Sequence, residues 1–387
     1  MIPPLTSGLF ATITIILAIG LPVAVVVTAR AWRARTGAWP WVGHSVLVVL
    51  AQAAAVIAVL VWVNNQYGLY ASWDDLFGIT PPASAAAFNP QPTAATTGSA
   101  SSSPAPTGVI GGNGTPRAVQ HVPWVNGVPQ GFTRDTNPNT FATTIRVPGS
   151  GVPLPAYVML PKQYFEAKYA KTQFPTLILL PGYPGTPEAF LHQMQLQQHL
   201  QESVAAGGTP FVLVITQESV PGSPDLECMD LPKQPQITTY LTSELPNIVM
   251  SHFRVRTDRA GWGFLGYSEG GFCAAQLTMR FPHLFSAAVA IAAYPRPESP
   301  YFANLPKSYT DAGDLALLLA KRPPVALLAT ESTQDRQAKG VFTALKGVKP
   351  PTVVKTVLFT QGGHNTQAFS LELAQDFRWI SNYMAKV

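Results

Sequence analysis

Residues Gly266–Gly270 carry the pattern that most directly indicates chemistry, a serine with a glycine two positions away on either side. The segment before it, Ala260–Leu265, is short and apolar and predicts a buried strand. The segment after it, Gly271–Leu277, is small and apolar and predicts a helix packed closely on a sheet. Strand, G-x-S-x-G turn and helix are together typical of a nucleophile elbow, whose sharp turn presents the serine hydroxyl to a carbonyl carbon. We therefore predict that Ser268 is a nucleophile.

A serine nucleophile needs a general base, and in this arrangement the base follows it in the chain. His364 lies in the glycine-flanked segment Gln361–Asn365, directly after the apolar stretch Thr352–Phe359, which predicts a late strand. A histidine on the loop after the last strand is well placed to accept the serine proton. His364 is the predicted base.

The carboxylate that orients such a histidine is expected on the loop after an earlier strand. The apolar stretch Pro324–Thr330 predicts that strand, and Glu331 and Asp335 follow it. We predict that Asp335 is the acid, because the loop needs a few residues to bring a short carboxylate under the imidazole, and Glu331 is the alternative. A helix N-cap for Asp335 and a surface charge for Glu331 are the non-catalytic interpretations.

An oxyanion hole is predicted where the strand Phe174–Leu180 ends in the turn Pro181–Gly185. The backbone N–H groups of Tyr183 and Glu269 are the candidate donors to the negative oxygen that develops during acyl transfer. An ordinary Pro-Gly turn between a strand and a helix is the other interpretation of this segment.

These segments, with Asp225–Cys228, resemble the putative-esterase branch of the α/β-hydrolases, which includes esterase D (S-formylglutathione hydrolase) and the secreted mycolyltransferases of mycobacteria. The chain is also similar to membrane-anchored esterases of actinobacteria. The resemblance covers roughly residues 135–387. It implies an acyl-ester hydrolase or an acyltransferase that uses Ser268, His364 and a carboxylate at Asp335 or Glu331. Pro181 departs from the pattern, because many relatives carry histidine there.

Two apolar segments near the N-terminus predict membrane-spanning helices over about residues 8–29 and 43–63, each close to the 20 residues that a span requires. Arg30, Arg33 and Arg35 lie between them without an acidic residue, so the positive-inside rule places this loop in the cytoplasm and the enzyme outside. A cleavable signal peptide is disfavoured, because Met1–Thr6 carries no positive side chain. A buried helical hairpin is the third interpretation.

The predicted organisation is a membrane anchor over 1–80, a linker over 81–134 and a catalytic domain over 135–387. The linker is rich in Ala, Pro, Ser, Thr and Gly and contains too little apolar surface to offset the entropy lost on ordering.

Apolar strands alternate with helix-like stretches in the catalytic domain, which predicts a mostly parallel, doubly wound sheet with its site at the carboxyl ends of the strands. The predicted strands are Phe141–Arg146, Ala156–Leu160, Thr176–Leu180, Phe211–Ile215, Gly261–Leu265, Ala287–Ile291, Val325–Ala329 and Val353–Phe359. The predicted helices are Pro187–Ser203, Ile237–Met250, Gly270–Phe281, Arg336–Leu345 and Thr366–Met384.

The two cysteines, Cys228 and Cys273, both fall in the domain expected to be exported. A lone pair in an oxidising compartment favours a disulfide, and two buried free thiols are the alternative. The long loop Ser219–Pro235 and the segment Tyr294–Arg322 are expected to be lid-like and to shape an acyl pocket.

The net charge of +5 does not indicate a nucleic-acid partner, because lysine and arginine are scattered along the chain. The histidines and cysteines form no pattern typical of a metal site, and no cofactor is expected. A membrane-anchored serine esterase is thus the first hypothesis. An acyltransferase for cell-envelope lipids or sugars and a non-catalytic envelope binding protein are the alternatives.

Overall fold

The computed structural model describes residues 3–33, 38–67, 69–77, 118–335 and 340–387. The chain divides into two compact units. One comprises Met1–Pro82, Ser332–Gln337 and Thr360–Ala368, and the other contains the rest of the chain. This division differs from the predicted one, because the loops that carry Asp335 and His364 group with the N-terminal segment.

The first unit is built on two long helices, α1 (Gly8–Arg33) and α2 (Ala38–Tyr67), followed by the short helix α3 (Trp73–Leu76). The stretches Gly8–Ala29 and Trp41–Tyr67 are long and apolar enough to cross a membrane. Apolar side chains such as Val26 and Leu60 are 72% and 60% exposed, so this hairpin buries little of its apolar surface within the protein. Residues 34–37, which include Arg35 of the predicted cytoplasmic loop, lie outside the described part of the chain.

The second unit contains one large sheet, which has nine strands among the described residues, in the order β11-β10-β9-β8-β6-β7-β5-β4-β3. Strands β10, β9, β8, β6 and β7 run parallel, and β5, β4 and β3 are added antiparallel at one side. A separate hairpin pairs β1 with β2. The strands are β1 (Trp124–Val125), β2 (Val128–Pro129), β3 (Thr133–Arg134), β4 (Thr140–Arg146), β5 (Pro153–Met159), β6 (Thr176–Leu180), β7 (Val212–Ile215), β8 (Trp262–Tyr267), β9 (Ala287–Ile291), β10 (Ala326–Ser332) and β11 (Val353–Phe359).

Apolar side chains cover both faces of the central strands. In β6, Ile178 packs into one core cluster and its neighbours Leu177 and Leu179 pack into the other. The remaining helices are α4 (Glu188–His192), α5 (Leu196–Ala205), α6 (Ile237–Thr239), α7 (Leu245–His252), α8 (Glu269–Arg280), α9 (Lys307–Gly313), α10 (Leu315–Ala320), α11 (Val341–Ala344), α12 (Thr366–Ser370) and α13 (Leu373–Ile380), with a π-helical turn at Tyr240–Glu244 between α6 and α7.

The predicted fold class is confirmed, since a mostly parallel sheet alternates with helices. The predicted linker over 81–134 lies outside the described residues up to residue 117, but its last part contains β1, β2 and β3. Strand β3 pairs with β4 through Thr133 and Ala142, so ordered structure begins before residue 135. A strand of two residues carries no periodicity, so sequence patterns do not predict these elements.

Candidate active site

Ser268 stands between β8 and α8 with a backbone conformation that serine rarely adopts, φ 57° and ψ −124°. Its N–H donates to the carbonyl of Ile291, at 2.8 Å, and its carbonyl accepts from the N–H of Phe272, at 3.0 Å. The turn is thus fixed to the neighbouring strand on one side and opens the helix on the other. A left-handed, strained serine at this point is the geometry of a nucleophile elbow.

Two glycines of the motif are required by close backbone packing. A Cβ on Gly270 would lie 2.1 Å from the carbonyl oxygens of both Leu180 and Pro181. A Cβ on Gly266 would lie 2.2 Å from the carbonyl oxygen of Gly270. Both distances are far below van der Waals contact, so a larger residue at position 270 would push the elbow away from β6, and one at position 266 would push β8 away from the first turn of α8.

The loop after β6 passes directly beside the nucleophile. A Cβ placed on Gly182 would lie 2.7 Å from the Cβ of Ser268 and 3.1 Å from its Oγ. Tyr183, the predicted oxyanion donor, is the next residue along this loop. The structure therefore brings the predicted oxyanion segment and the predicted nucleophile together.

Glu269 is the first residue of α8, where a backbone N–H has no acceptor within the helix. Its side chain is 4% exposed. Burial, with the nearby carboxyl groups of Glu218, Asp225 and Glu227, raises the pKa of Glu269 well above its usual value. The hydrogen bond between the side chains of Glu269 and Asp225 acts in the same direction on Glu269. The raised pKa favours the neutral form of the carboxyl group next to the nucleophile.

Glu227 links the loop that carries it to the segment after β9. Its Oε1 accepts hydrogen bonds from the N–H groups of Glu298 and Ser299, both at 2.8 Å, and from the hydroxyl of Tyr294 at 3.1 Å. Burial raises the pKa of Glu227 to about 7, with a further contribution from Asp225, while its three donors act in the opposite direction. The two predicted lid segments are therefore joined through one carboxyl group.

We expect Glu227→Gln to remove a pH-dependent loss of stability. Because the folded-state pKa is raised, the contribution of protonated Glu227 to the free energy of unfolding is fully present below about pH 4.5. It is lost as the pH rises towards 7. The amide keeps the accepting oxygen and never ionises, so the variant should gain up to about 3 kcal/mol over the wild type at pH 8 and almost nothing at pH 4.5. Denaturant unfolding at the two pH values measures this, and parallel stability profiles for both proteins would contradict it.

Cys228 and Cys273 are joined in a disulfide, with a Cα–Cα distance of 5.8 Å. The bond connects the loop of Glu227 to the helix that begins at Glu269. The carbonyl of Glu227 also accepts from Nε2 of Gln276, on the same helix. The predicted pairing is thus present, and it holds the long loop on the elbow helix.

Asp335 and His364, on the loops after β10 and β11, are in direct contact. The Nδ1 of His364 lies 2.7 Å from Oδ2 of Asp335. The Asp335 side chain is completely buried, and that of His364 is 11% exposed. A buried carboxylate on Nδ1 fixes the orientation and tautomer of an imidazole, leaving Nε2 as the nitrogen that exchanges protons. Asp335, the predicted acid, is thus in hydrogen-bonding contact with the predicted base.

Sequence patterns did not reveal the carboxyl cluster of Glu218, Asp225, Glu227 and Glu269, because its members come from two separate segments. The run Asp225–Cys228 was a usable signal, since two acidic residues beside a half-cystine are unusual at a buried position.

The sequence model of the family described as putative esterase matches residues 150–368, more than half of the chain. A protein of Corynebacterium glutamicum described as uncharacterized is 25% identical over 248 residues, covering 58% of this chain. The chain spans only a little over half of that relative, 56% of its length.

Solved structures agree with the fold. An S-formylglutathione hydrolase from Agrobacterium tumefaciens superposes with a TM-score of 0.55 at 16% identity, over 66% of this chain and 98% of that one. A fluorophosphonate-binding serine hydrolase of Staphylococcus aureus, FphF, superposes with a TM-score of 0.51 at 18% identity, over 63% of this chain and 98% of that one. The chain therefore belongs to the putative esterase family and has the α/β-hydrolase fold.

Proposed function

We propose that the protein is a membrane-anchored, extracytoplasmic serine esterase that uses a triad of Ser268, His364 and Asp335. The observation that carries the proposal is the contact of 2.7 Å between His364 Nδ1 and the buried carboxylate of Asp335. Burial of a carboxylate is unfavourable in free energy, and buried carboxylate–histidine pairs of this kind are concentrated at functional sites. The strained conformation of Ser268 supplies the matching nucleophile.

The reaction proceeds in two acyl transfers. The Oγ of Ser268 attacks the ester carbonyl carbon while Nε2 of His364 takes its proton, and Asp335 stabilises the resulting imidazolium. Collapse of the tetrahedral intermediate breaks the bond to the alcohol oxygen, which leaves with the proton from His364. Water then attacks the acyl-enzyme, giving its proton to His364, and the carboxylic acid departs as Ser268 is reprotonated.

The backbone N–H groups of Tyr183 and Glu269 stabilise the negative oxygen of each tetrahedral intermediate. The close approach of Gly182 to Ser268 and the position of Glu269 at the start of α8 support this assignment. One such donor contributes on the order of 2.7–4 kcal/mol to transition-state stabilisation in a comparable enzyme. The raised pKa of Glu269 supports the role, since an ionised carboxylate there would repel the oxyanion.

The acyl group is bound beside the elbow by the segments Ser219–Pro235 and Tyr294–Arg322. Their connection through Glu227, and the disulfide from Cys228 to α8, support a fixed wall at this position. We infer that the substrates are acyl esters of small molecules or envelope lipids.

Helices α1 and α2 anchor the enzyme in the membrane. Their exposed apolar side chains, including Val26 and Leu60, favour lipid as the surrounding medium. By the positive-inside rule, the arginines at positions 30, 33 and 35 support a cytoplasmic connection between the helices and a hydrolase on the opposite side. The disulfide is consistent with an oxidising compartment.

A membrane-impermeant fluorophosphonate tests activity and sidedness together. We expect the probe to label the protein on intact cells, with mass spectrometry locating the adduct on Ser268. Label that appears only after lysis would contradict the outward orientation, but it would still support a serine hydrolase. Absence of label in both cases, with a folded protein, would favour a non-catalytic binding protein on this fold.

A panel of acyl esters with and without carbohydrate acceptors then distinguishes hydrolysis from transfer. Both reactions use the same acyl-enzyme and differ only in the group that attacks it. Release of free acid at a rate independent of acceptor identifies an esterase. Acylation of the added sugar at the expense of free acid would instead identify an acyltransferase.

A further inference from the structure

The segment that follows α2 lies against the loop that carries His364. This segment, Leu69–Phe77, contains Asp75, whose side chain is only 1% exposed. A carboxylate so deeply buried has to be satisfied by donors, because an isolated buried charge is very unfavourable.

Asp75 binds the chain on both sides of His364. Its Oδ2 accepts from the N–H of Gly363, at 3.0 Å, and from the N–H of Ala71, at 2.7 Å. The side-chain amide of Asn365 lies 3.2 Å from each carboxylate oxygen and also donates to the carbonyl of Leu69. The residues directly before and after the histidine are therefore fixed by one side chain from the N-terminal segment.

The His364 loop needs external support, because it contains two consecutive glycines. Gly362 adopts φ +83°, and a Cβ there would lie 2.4 Å from the Cβ of Ala368, so the position requires glycine. The first half of the loop is held by the Asp335 loop, through Ser332 Oγ to the Gly362 carbonyl at 2.6 Å and Gln334 Oε1 to the Gly362 N–H at 3.1 Å. The second half is held by Asp75.

The segment that presents Asp75 is itself attached to the helical hairpin. The amide of Asn64, in α2, pairs with both the N–H and the carbonyl of Tyr70, at 2.8 and 3.0 Å. The indole N–H of Trp73 donates to the carbonyl of Pro3 at 2.8 Å, and its ring packs edge-to-face on Phe10 at 5.2 Å. Asp75 is thus held on a supported element instead of a free loop.

We propose that Asp75 is a positioning residue of the hydrolase. It fixes the loop of His364, so that the segment Leu69–Phe77 contributes to the geometry of the active site. The inference rests on the proposed function, because Asp75 affects the reaction only if His364 is the general base. Its consequence is that residues 69–77 are not a passive spacer between anchor and enzyme.

Asp75→Asn should lower kcat about 10- to 100-fold with little change in KM, since a misplacement of the base by about 1 Å has that effect. The amide keeps one accepting oxygen, but its NH₂ group then faces N–H donors from Ala71, Gly363 or Asn365. Asp74→Asn is the matched control, because Asp74 is the exposed neighbour in the same helix, and this variant should stay within twofold of the wild type.

The measurement uses the full-length protein in detergent micelles, with kcat, KM and the folded fraction determined for each variant. Asn365→Ala and the double variant with Asp75→Asn complete a double-mutant cycle. If Asp75 acts through this loop, the double variant should lose little more activity than the worse single variant.

A wild-type kcat for Asp75→Asn would overturn the proposal, and so would a loss fully explained by a smaller folded fraction. Fully multiplicative losses in the double variant would also overturn it. These outcomes are distinct from failure of the proposed function, in which the wild-type protein itself would neither hydrolyse esters nor react with a fluorophosphonate.

Discussion

Ser268→Ala is expected to lower kcat by about six orders of magnitude while the protein keeps its fold. Loss of the nucleophile in a comparable serine hydrolase removes about as much activity as loss of the whole triad, because the three residues act as a unit. Alanine accepts the φ of 57° no better and no worse than serine, so the free energy of unfolding should not change. Steady-state hydrolysis of an acyl ester and a thermal melt of both proteins measure the two effects.

Ser268→Gly is the informative companion, because it separates chemistry from strain. Glycine adopts a positive φ without steric cost, so this variant should be inactive yet more stable than Ser268→Ala by about 1 kcal/mol. Equal stability of the two variants would indicate that the elbow stores no backbone strain. Substantial hydrolysis by either one would exclude Ser268 as the nucleophile.

The positions of the candidate site residues relative to the strands were predictable, because they depend on short patterns with a fixed relation to strands. Ser268, Tyr183 and His364 each follow a strand that the sequence marks by an apolar run, β8, β6 and β11. The strands Thr176–Leu180, Ala287–Ile291 and Val353–Phe359 begin and end where they were predicted. Parallel strands in such a sheet present their carboxyl ends at one edge, so chain position alone predicts that these residues approach one another.

Contacts between distant segments were not predictable. Asp75 and Gly363 are separated by 288 positions, and nothing in a single-sequence pattern relates one to the other. The sequence around Asp75 falls within the predicted membrane anchor over 1–80, which assigns it no part in the site. The acidic cluster around Glu269 escaped notice for the same reason, since burial of a carboxyl group is decided by tertiary packing.

The choice between Asp335 and Glu331 as the acid was only partly predictable from the sequence. Loop length favoured Asp335, but both residues follow the same strand, and a difference of four positions is within the usual uncertainty of a strand end. The strand β10 continues to Ser332, so Glu331 belongs to the strand and Asp335 to the loop beyond it. The contact with His364 Nδ1 favours Asp335, as loop length does.

Asp335→Asn is therefore expected to lower kcat by about four orders of magnitude with little change in KM. An amide at this position turns its NH₂ group towards Nδ1 and selects the tautomer that carries the proton on Nε2. That tautomer of His364 cannot accept the proton of Ser268, although the imidazole stays in place. Steady-state kinetics on one acyl ester, with the rate of fluorophosphonate labelling as a second readout, should show the same loss.

Glu331→Gln is the matched control, since it removes a carboxylate from the same strand–loop connection. We expect this variant to retain kcat within about tenfold of the wild type, because Asp335 is the carboxylate that lies 2.7 Å from Nδ1 of His364. The reverse result, a severe loss in Glu331→Gln with an active Asp335→Asn, would transfer the acid role to Glu331. It would also mean that the buried Asp335–His364 contact serves only to join the two loops, and that Glu331 selects the tautomer of His364.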